Sequence, residues 1–160
     1  MADLDAIFNT VDPDELIRNL SWQCEWFIYH VHPACSLAYG MPIEATTQIF
    51  DLTNGNVRKM ASRQSLKLLG MAAQIAQDYY PETMGSCFVV NAPMLFAFLW
   101  SILKGFLNER TRAKVRIIGA GYENVLLEHI DAANLPDFLG GSCTCSHVEG
   151  GCMNSSVGPW

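Results

Sequence analysis

The sequence lacks an apolar run of the roughly 20 residues that a membrane-spanning helix needs. Its greasiest stretch, Leu95 to Leu107, is thirteen residues long and includes Lys104. The opening MADLDAIF has no basic region followed by an apolar core and a cleavage site, which excludes a secretory signal and makes a reducing, cytoplasmic compartment the default. The six cysteines then read as free thiols and not as a disulfide framework. There is no phosphate-binding P-loop and no G-x-S-x-G nucleophile elbow, and no internal repeat. Basic residues are also scarce: 10 Lys and Arg against 16 Asp and Glu give a net charge of −6, the opposite of a general nucleic-acid binder.

What is present is a single-domain chain of 160 residues, half of them hydrophobic, which is enough for a sizeable core. Its charge is unevenly spread. Nine of the ten basic residues lie between Arg58 and Arg116, opposed there only by Asp78, Glu82 and Glu109, for a local balance of 9 − 3 = +6. The rest carries 1 basic and 13 acidic residues, a balance of −12. A basic block of this kind is a solvated face or a surface that meets phosphate-bearing partners such as an anionic membrane.

The stretch APMLFAFLWSILKGFL, from Ala92, sits inside that block. On a helical wheel Ala97, Ser101, Lys104 and Gly105 share one narrow stripe. Leu95, Phe96, Phe98, Leu99, Trp100, Ile102, Leu103, Phe106 and Leu107 fill an apolar arc of roughly 200°, about twice what a core-facing amphipathic helix requires. The second half of the arc calls for a second apolar neighbour, either protein core or lipid.

Asp12-Pro13-Asp14-Glu15 reads as a helix start, with Asp12 as N-cap and Pro13 at the first helical position. The recurrence of Leu16, Leu20, Cys24, Phe27 and Val31 predicts a helix ending near Pro33. His30 and His32 are then placed at its last carbonyls, where a cation is favourable. Strand and helix alternate afterwards: a strand at Thr46–Thr53, a helix over about Val57–Tyr80, a strand from Ser86, the greasy helix from Pro93, a strand from Lys114 and a helix from Tyr122. The central strands are apolar on consecutive residues. Both features predict an α/β fold with a mainly parallel sheet covered by helices. Cys87, inside an apolar strand, reads as a small core residue. In the run Arg110, Arg112, Lys114 and Arg116 the period of two would place all four on one face if the run were extended. Gly119-Ala120-Gly121 is a partial dinucleotide fingerprint with Asn124 in the place of the third glycine, so a plain strand-to-helix turn is the preferred reading. The Gly, Ser and Cys-rich tail over 141–160 offers Cys143, Cys145, His147 and Cys152. These groups are chemically able to hold zinc, but their C-x-C spacing is shorter than usual zinc motifs and equally describes a flexible loop. No metal is assigned on this basis, and no nucleophile and base pair emerges from spacing, so the chain reads as a non-enzyme.

Tyr79-Tyr80-Pro81-Glu82, Asn91-Ala92-Pro93, Phe106-Leu107, Ile117-Ile118-Gly119, Asn134-Leu135-Pro136, Gly140-Gly141 and Gly158-Pro159-Trp160, with Pro33-Ala34-Cys35-Ser36 and Asp51-Leu52 upstream, resemble in order and spacing the CRAL-TRIO lipid-binding domain of phosphatidylinositol/phosphatidylcholine transfer proteins. The resemblance spans nearly the whole chain. It implies a sheet as pocket floor, helices as walls and a mobile gate helix, which aligns with the greasy segment. It implies a bound phospholipid and no other cofactor, transient contact with a membrane surface, no nucleic acid, and a cytoplasmic protein peripheral at Golgi or endosomal membranes. Glu82 and Lys114 align with an inositol-phosphate site, and Thr46 and Gln48 with a choline-phospholipid site. Thr83 stands where the family often has Arg, Gln48 replaces a hydroxyl, and Cys24 stands where a Tyr contributes. Phosphatidylinositol is therefore the ligand the resemblance favours. The alternatives are a non-transferring scaffold of the same shape that engages a protein partner, and an inactive paralogue. The resemblance further implies that residues 1–160 lack the family's N-terminal helical domain and first strand, so that the chain alone is expected to be less stable, prone to aggregation and weak in lipid affinity.

Overall fold

The computed structural model describes residues 10–156 and 158–160. The first helix that lies wholly within the described residues, α1 (Pro13–Trp26), starts where the capping signal places it: the Asp12 side chain accepts a 2.8 Å hydrogen bond from the Asp14 N–H. It does not stop at Pro33. A π-helical turn, Phe27–Val31, joins α1 to α2 (His32–Tyr39), and the chain stays helical to Gly40, whose φ of 68° ends it. Proline has no N–H and its ring collides with the carbonyl four residues back. The wider turn just before it, in which the His32 N–H reaches the Phe27 carbonyl, shifts the hydrogen-bond register so that the helix absorbs Pro33. His30 and His32 consequently lie mid-helix and not at terminal carbonyls. His32 is buried against Phe27, and the His30 ring stacks on Trp26 at 4.4 Å.

Strand β1 (Thr46–Asp51) follows, then α3 (Val57–Met60) and α4 (Arg63–Tyr79). These two replace the single helix expected from Val57, because Ser62 adopts an extended ψ of 151° and caps α4 by accepting from the Ser65 N–H. Such side-chain capping competes with helix continuation. Strand β2 (Met84–Val90) leads into α5 (Phe96–Leu103), a short 3-10 turn Lys104–Phe106, α6 (Glu109–Lys114), β3 (Val115–Ile117) and α7 (Glu123–Leu127). Residues 110–114 are helical, not extended. The Asn108 side chain accepts from the Thr111 N–H at 2.8 Å and so caps α6, and the shared face that an extended run would give Arg110, Arg112, Lys114 and Arg116 does not form.

The three strands are parallel in the order β1-β2-β3, with Ile49 opposite Phe88 and Cys87 opposite Val115. Residues Cys87 to Val90 are all buried, and the strand period of two deals them alternately to two sides. Phe88 and Val90 join Tyr122, Leu126, Leu135 and Leu139 on one face. Cys87 and Val89 join Val57, Phe96 and Leu99 on the other. This is the covered parallel sheet that consecutive apolar residues indicate. Gly119–Gly121 forms a strand-to-helix turn with Gly121 at φ 82°.

Adjacent leucines in α7 test this division. Leu126 has no exposed surface, whereas Leu127 is 39% exposed. Leu126→Ala is expected to cost about 2–5 kcal/mol by leaving a cavity, and Leu127→Ala less than about 1 kcal/mol, as read from urea unfolding midpoints.

Candidate functional site

A cavity of about 450 Å³ lies on the β2 face opposite Leu126, within the range of about 300–1,000 Å³ usual for ligand pockets. Its floor is the sheet, through Gln48, Phe50, Cys87, Val89 and Val115. Helix α4 forms one wall with Leu69, Ala72, Ala73, Ala76 and Gln77, a face whose small residues keep the helix backbone close while leaving volume empty. Leu20 and Cys24 of α1 close a corner. Burial pushes the Cys87 thiol up to about 11, so it stays neutral on this floor.

The remaining wall is the segment singled out by its wide apolar arc. Phe96, Trp100, Leu103, Phe106 and Leu107 line the cavity. Leu99 has no exposed surface and is packed into the core with Val57, Cys87 and Val89, so it meets neither cavity nor solvent. Leu95 and Phe98 point outward, 46% and 62% exposed, and Ile102 is half-buried outside the lining. The arc therefore divides into an inward cavity face and an outward face that holds apolar side chains in water.

Both ends of this segment are held by side-chain hydrogen bonds. At its start, Asn91, in a left-handed conformation at φ 52°, donates from Nδ2 to Asp51 at 2.9 Å and to Thr53 at 2.8 Å. Although partial burial opposes it, the hydrogen bonds from Asn91 and Thr53 hold the Asp51 carboxyl below its ordinary range. At its end, the Gln77 amide donates to the Phe106 carbonyl at 2.9 Å and accepts from the Asn108 N–H at 2.6 Å. The Phe106 ring lies directly over Gly70, where an added Cβ would sit 3.3 Å from it. Gln77 was not visible as a site residue in the sequence. The available signal was a polar side chain on the small-residue face of α4.

Of the four headgroup candidates, Glu82, Lys114 and Gln48 line the cavity. Lys114, half-buried at the end of α6, donates from Nζ to Glu82 Oε2 at 2.7 Å and to the Met84 carbonyl at 2.8 Å. Arg110 stands 3.7 Å from the other Glu82 oxygen. The Lys114 hydrogen bond and charge, with Arg110 behind them, lower the Glu82 carboxyl below its ordinary 4.5. Any stability that the pair adds through the exposed Glu82 carboxylate is thus present above about pH 4.5 and lost as pH falls through the lowered range. Glu82 occupies a left-handed φ of 64°, and backbone strain of this kind is often found where a side chain must be aimed. Thr46 is placed differently. It does not line the cavity, and its hydroxyl donates to the Thr83 carbonyl at 3.3 Å. Gln48, by contrast, presents an amide with no hydrogen-bond partner among the described residues.

The tail candidates come together in part. The Cys143, Cys145 and Cys152 sulfurs converge, and His147 does not join them. No helix among the described residues is long and apolar enough to cross a membrane.

A family model, the CRAL/TRIO domain, matches residues 5–141. The chain is 40% identical over 158 residues to the Sec14 cytosolic factor of Schizosaccharomyces pombe, covering 99% of this chain and 54% of that protein. It is 39% identical over 160 residues to the phosphatidylinositol/phosphatidylcholine transfer protein SFH11 of Arabidopsis thaliana, covering 100% and 42%. The chain thus spans about half the length of these curated relatives. Among solved structures, one titled as the crystal structure of Sfh5 aligns with a TM-score of 0.46 at 27% identity, over 50% of this chain and 29% of that one. By the family match over most of its length, this chain belongs to the CRAL/TRIO domain family.

Proposed function

We propose that the chain binds a phospholipid, phosphatidylinositol in the first place, and moves or presents it between membranes from the cytoplasmic side, at Golgi or endosomal surfaces. The observation that carries this reading is the two-sided segment Leu95–Leu107. One side lines an apolar cavity and the other leaves Leu95 and Phe98 in water. A lid that must leave the cavity and enter a bilayer surface needs apolar groups on both sides. Each acyl methylene moved from water into such a cavity is worth about 0.8 kcal/mol, which supports acyl chains as the occupants. The family match, and relatives whose names describe phosphatidylinositol and phosphatidylcholine transfer, support the ligand class.

Lys114 and Glu82 are the proposed headgroup pair. In the free chain Glu82 neutralises a half-buried ammonium. A lipid phosphate at the same place would take over that role, and the Glu82 carboxylate would then accept from inositol hydroxyls. Gln48 offers further amide donors from the floor, while Thr46, occupied by Thr83, contributes least. Phosphatidylinositol suits this arrangement better than phosphatidylcholine, whose trimethylammonium group donates no hydrogen bond to a carboxylate.

Transfer between vesicles tests the reading directly. Lys114→Ala removes a charge-assisted hydrogen bond worth about 1.5–3 kcal/mol, so phosphatidylinositol transfer should fall by roughly 10- to 100-fold while phosphatidylcholine transfer falls less. Equal losses for both lipids would remove the headgroup assignment. Phe98→Glu should slow transfer of both lipids without lowering the thermal midpoint, because Phe98 is exposed and outside the cavity. An unchanged transfer rate in this variant would detach the outer face from membrane docking, and a wild-type chain that binds lipid but moves none would favour a presenting or scaffolding role.

A further inference from the structure

Beyond the cavity, the tail that follows the family match folds into a compact knot on the opposite core. Gly141 makes the first approach possible: a Cβ there would lie 1.9 Å from the Leu135 carbonyl oxygen. Cys143 is then locked by two backbone hydrogen bonds. Its N–H donates to the Leu135 carbonyl at 3.0 Å and its carbonyl accepts from the Asp137 N–H at 2.9 Å. Leu135 is fully buried in the core beside Phe88 and Leu126, so Cys143 is fixed with respect to the body of the fold. A turn closed by the Val148 N–H on the Cys145 carbonyl reverses the chain. Gly150 and Gly151, at φ 86° and 59°, bring it back so closely that a Cβ on Gly151 would stand 2.9 Å from the Thr144 oxygen. This return delivers Cys152 to Cys143.

Three half-buried sulfurs meet there. Cys143 and Cys145 are 3.5 Å apart, Cys143 and Cys152 are 3.7 Å apart, and all three lie within 4.8 Å of one another. A disulfide requires about 2.05 Å, so these are separate thiols. Around a tetrahedral zinc with bonds of about 2.3 Å, neighbouring sulfurs stand about 3.8 Å apart. The trio therefore already has the spacing of one face of a zinc tetrahedron, within a few tenths of an ångström for two edges.

We propose that Cys143, Cys145 and Cys152 form a structural site for a thiophilic divalent cation, zinc, that pins the tail to the Leu135 core. Sulfur ligands select such a cation over magnesium or calcium, which take oxygen. On binding, the three thiols release their protons to solvent as thiolates, and water occupies the fourth position. The site lies outside residues 5–141 of the family match and contributes nothing to the cavity lining. It closes a loop of the chain as a staple and performs no chemistry on lipid.

The test uses the reduced chain with zinc chloride as probe. After removal of loosely bound metal, elemental analysis should give one zinc per chain. In the unmutated chain, zinc should protect Cys143, Cys145 and Cys152 from alkylation while leaving the reactivity of Cys24 and Cys35 unchanged, and it should raise the thermal midpoint by about 5 °C or more at a hundredfold excess over Kd. The variant C143S/C145S/C152S should lose the metal, and C24S/C35S should keep it. No retained zinc in the unmutated chain, protection that maps to other cysteines, or equal zinc content in C143S/C145S/C152S would overturn the proposal. Because the alkylation map needs no substitution, it decides the matter even if the triple variant fails to fold.

Discussion

Strand β2 pairs with both of its neighbours and buries the consecutive residues Cys87 to Val90. Its alternation sends Phe88 and Val90 into a solid core and Cys87 and Val89 toward the cavity side. One strand thus separates a filled half from a hollow half. The filled half, with Leu126 and Leu135 completely buried, supplies the rigidity. The other half encloses a cavity of about 450 Å³ between this floor and the walls packed on it.

The apolar segment over the cavity is attached differently from the core elements. Its two ends are fastened by polar side chains, Asn91 on Asp51 and Thr53, and Gln77 on the Phe106 and Asn108 backbone. Between these points it is anchored by Phe96 and Leu99, which sink into the core near the start. Hydrogen bonds of this kind contribute about 1 kcal/mol each, so they set the segment's position at modest energetic weight. The Lys114–Glu82 ion pair sits beside the second fastening, since Lys114 ends the helix that Asn108 caps. That ion pair and the attachment of the apolar segment are thereby neighbours in the same short stretch of chain.

Much of this was legible in the sequence, for identifiable reasons. The parallel sheet followed from consecutive apolar residues in β2, and the Asp12 cap placed the first helix. The unusually wide arc over Leu95–Leu107 called for two apolar neighbours; the fold supplies core and cavity on the inward side and leaves Leu95 and Phe98 exposed on the other. The misreadings share a cause: a local rule was outweighed by a neighbouring one. Pro33 normally ends a helix, but the π turn at Phe27–Val31 accommodates it. The run Arg110, Arg112, Lys114 and Arg116 would share one face if extended, but the Asn108 cap makes 109–114 a helix and β3 begins one residue after the expected Lys114. Thr46, Gln77 and the three tail cysteines depend on long-range placement. No pattern within a short window shows that Thr46 is taken by Thr83, or that Cys152 returns to Cys143.

The central claim is that the hollow half of the fold is a phospholipid site. Native mass spectrometry of the chain purified gently from cells measures it most directly. The account predicts a population heavier than the bare chain by the mass of one phospholipid, with phosphatidylinositol dominant when the ligand is released and identified. A clean mass of the lipid-free chain that stays unchanged after incubation with phosphatidylinositol vesicles would contradict it.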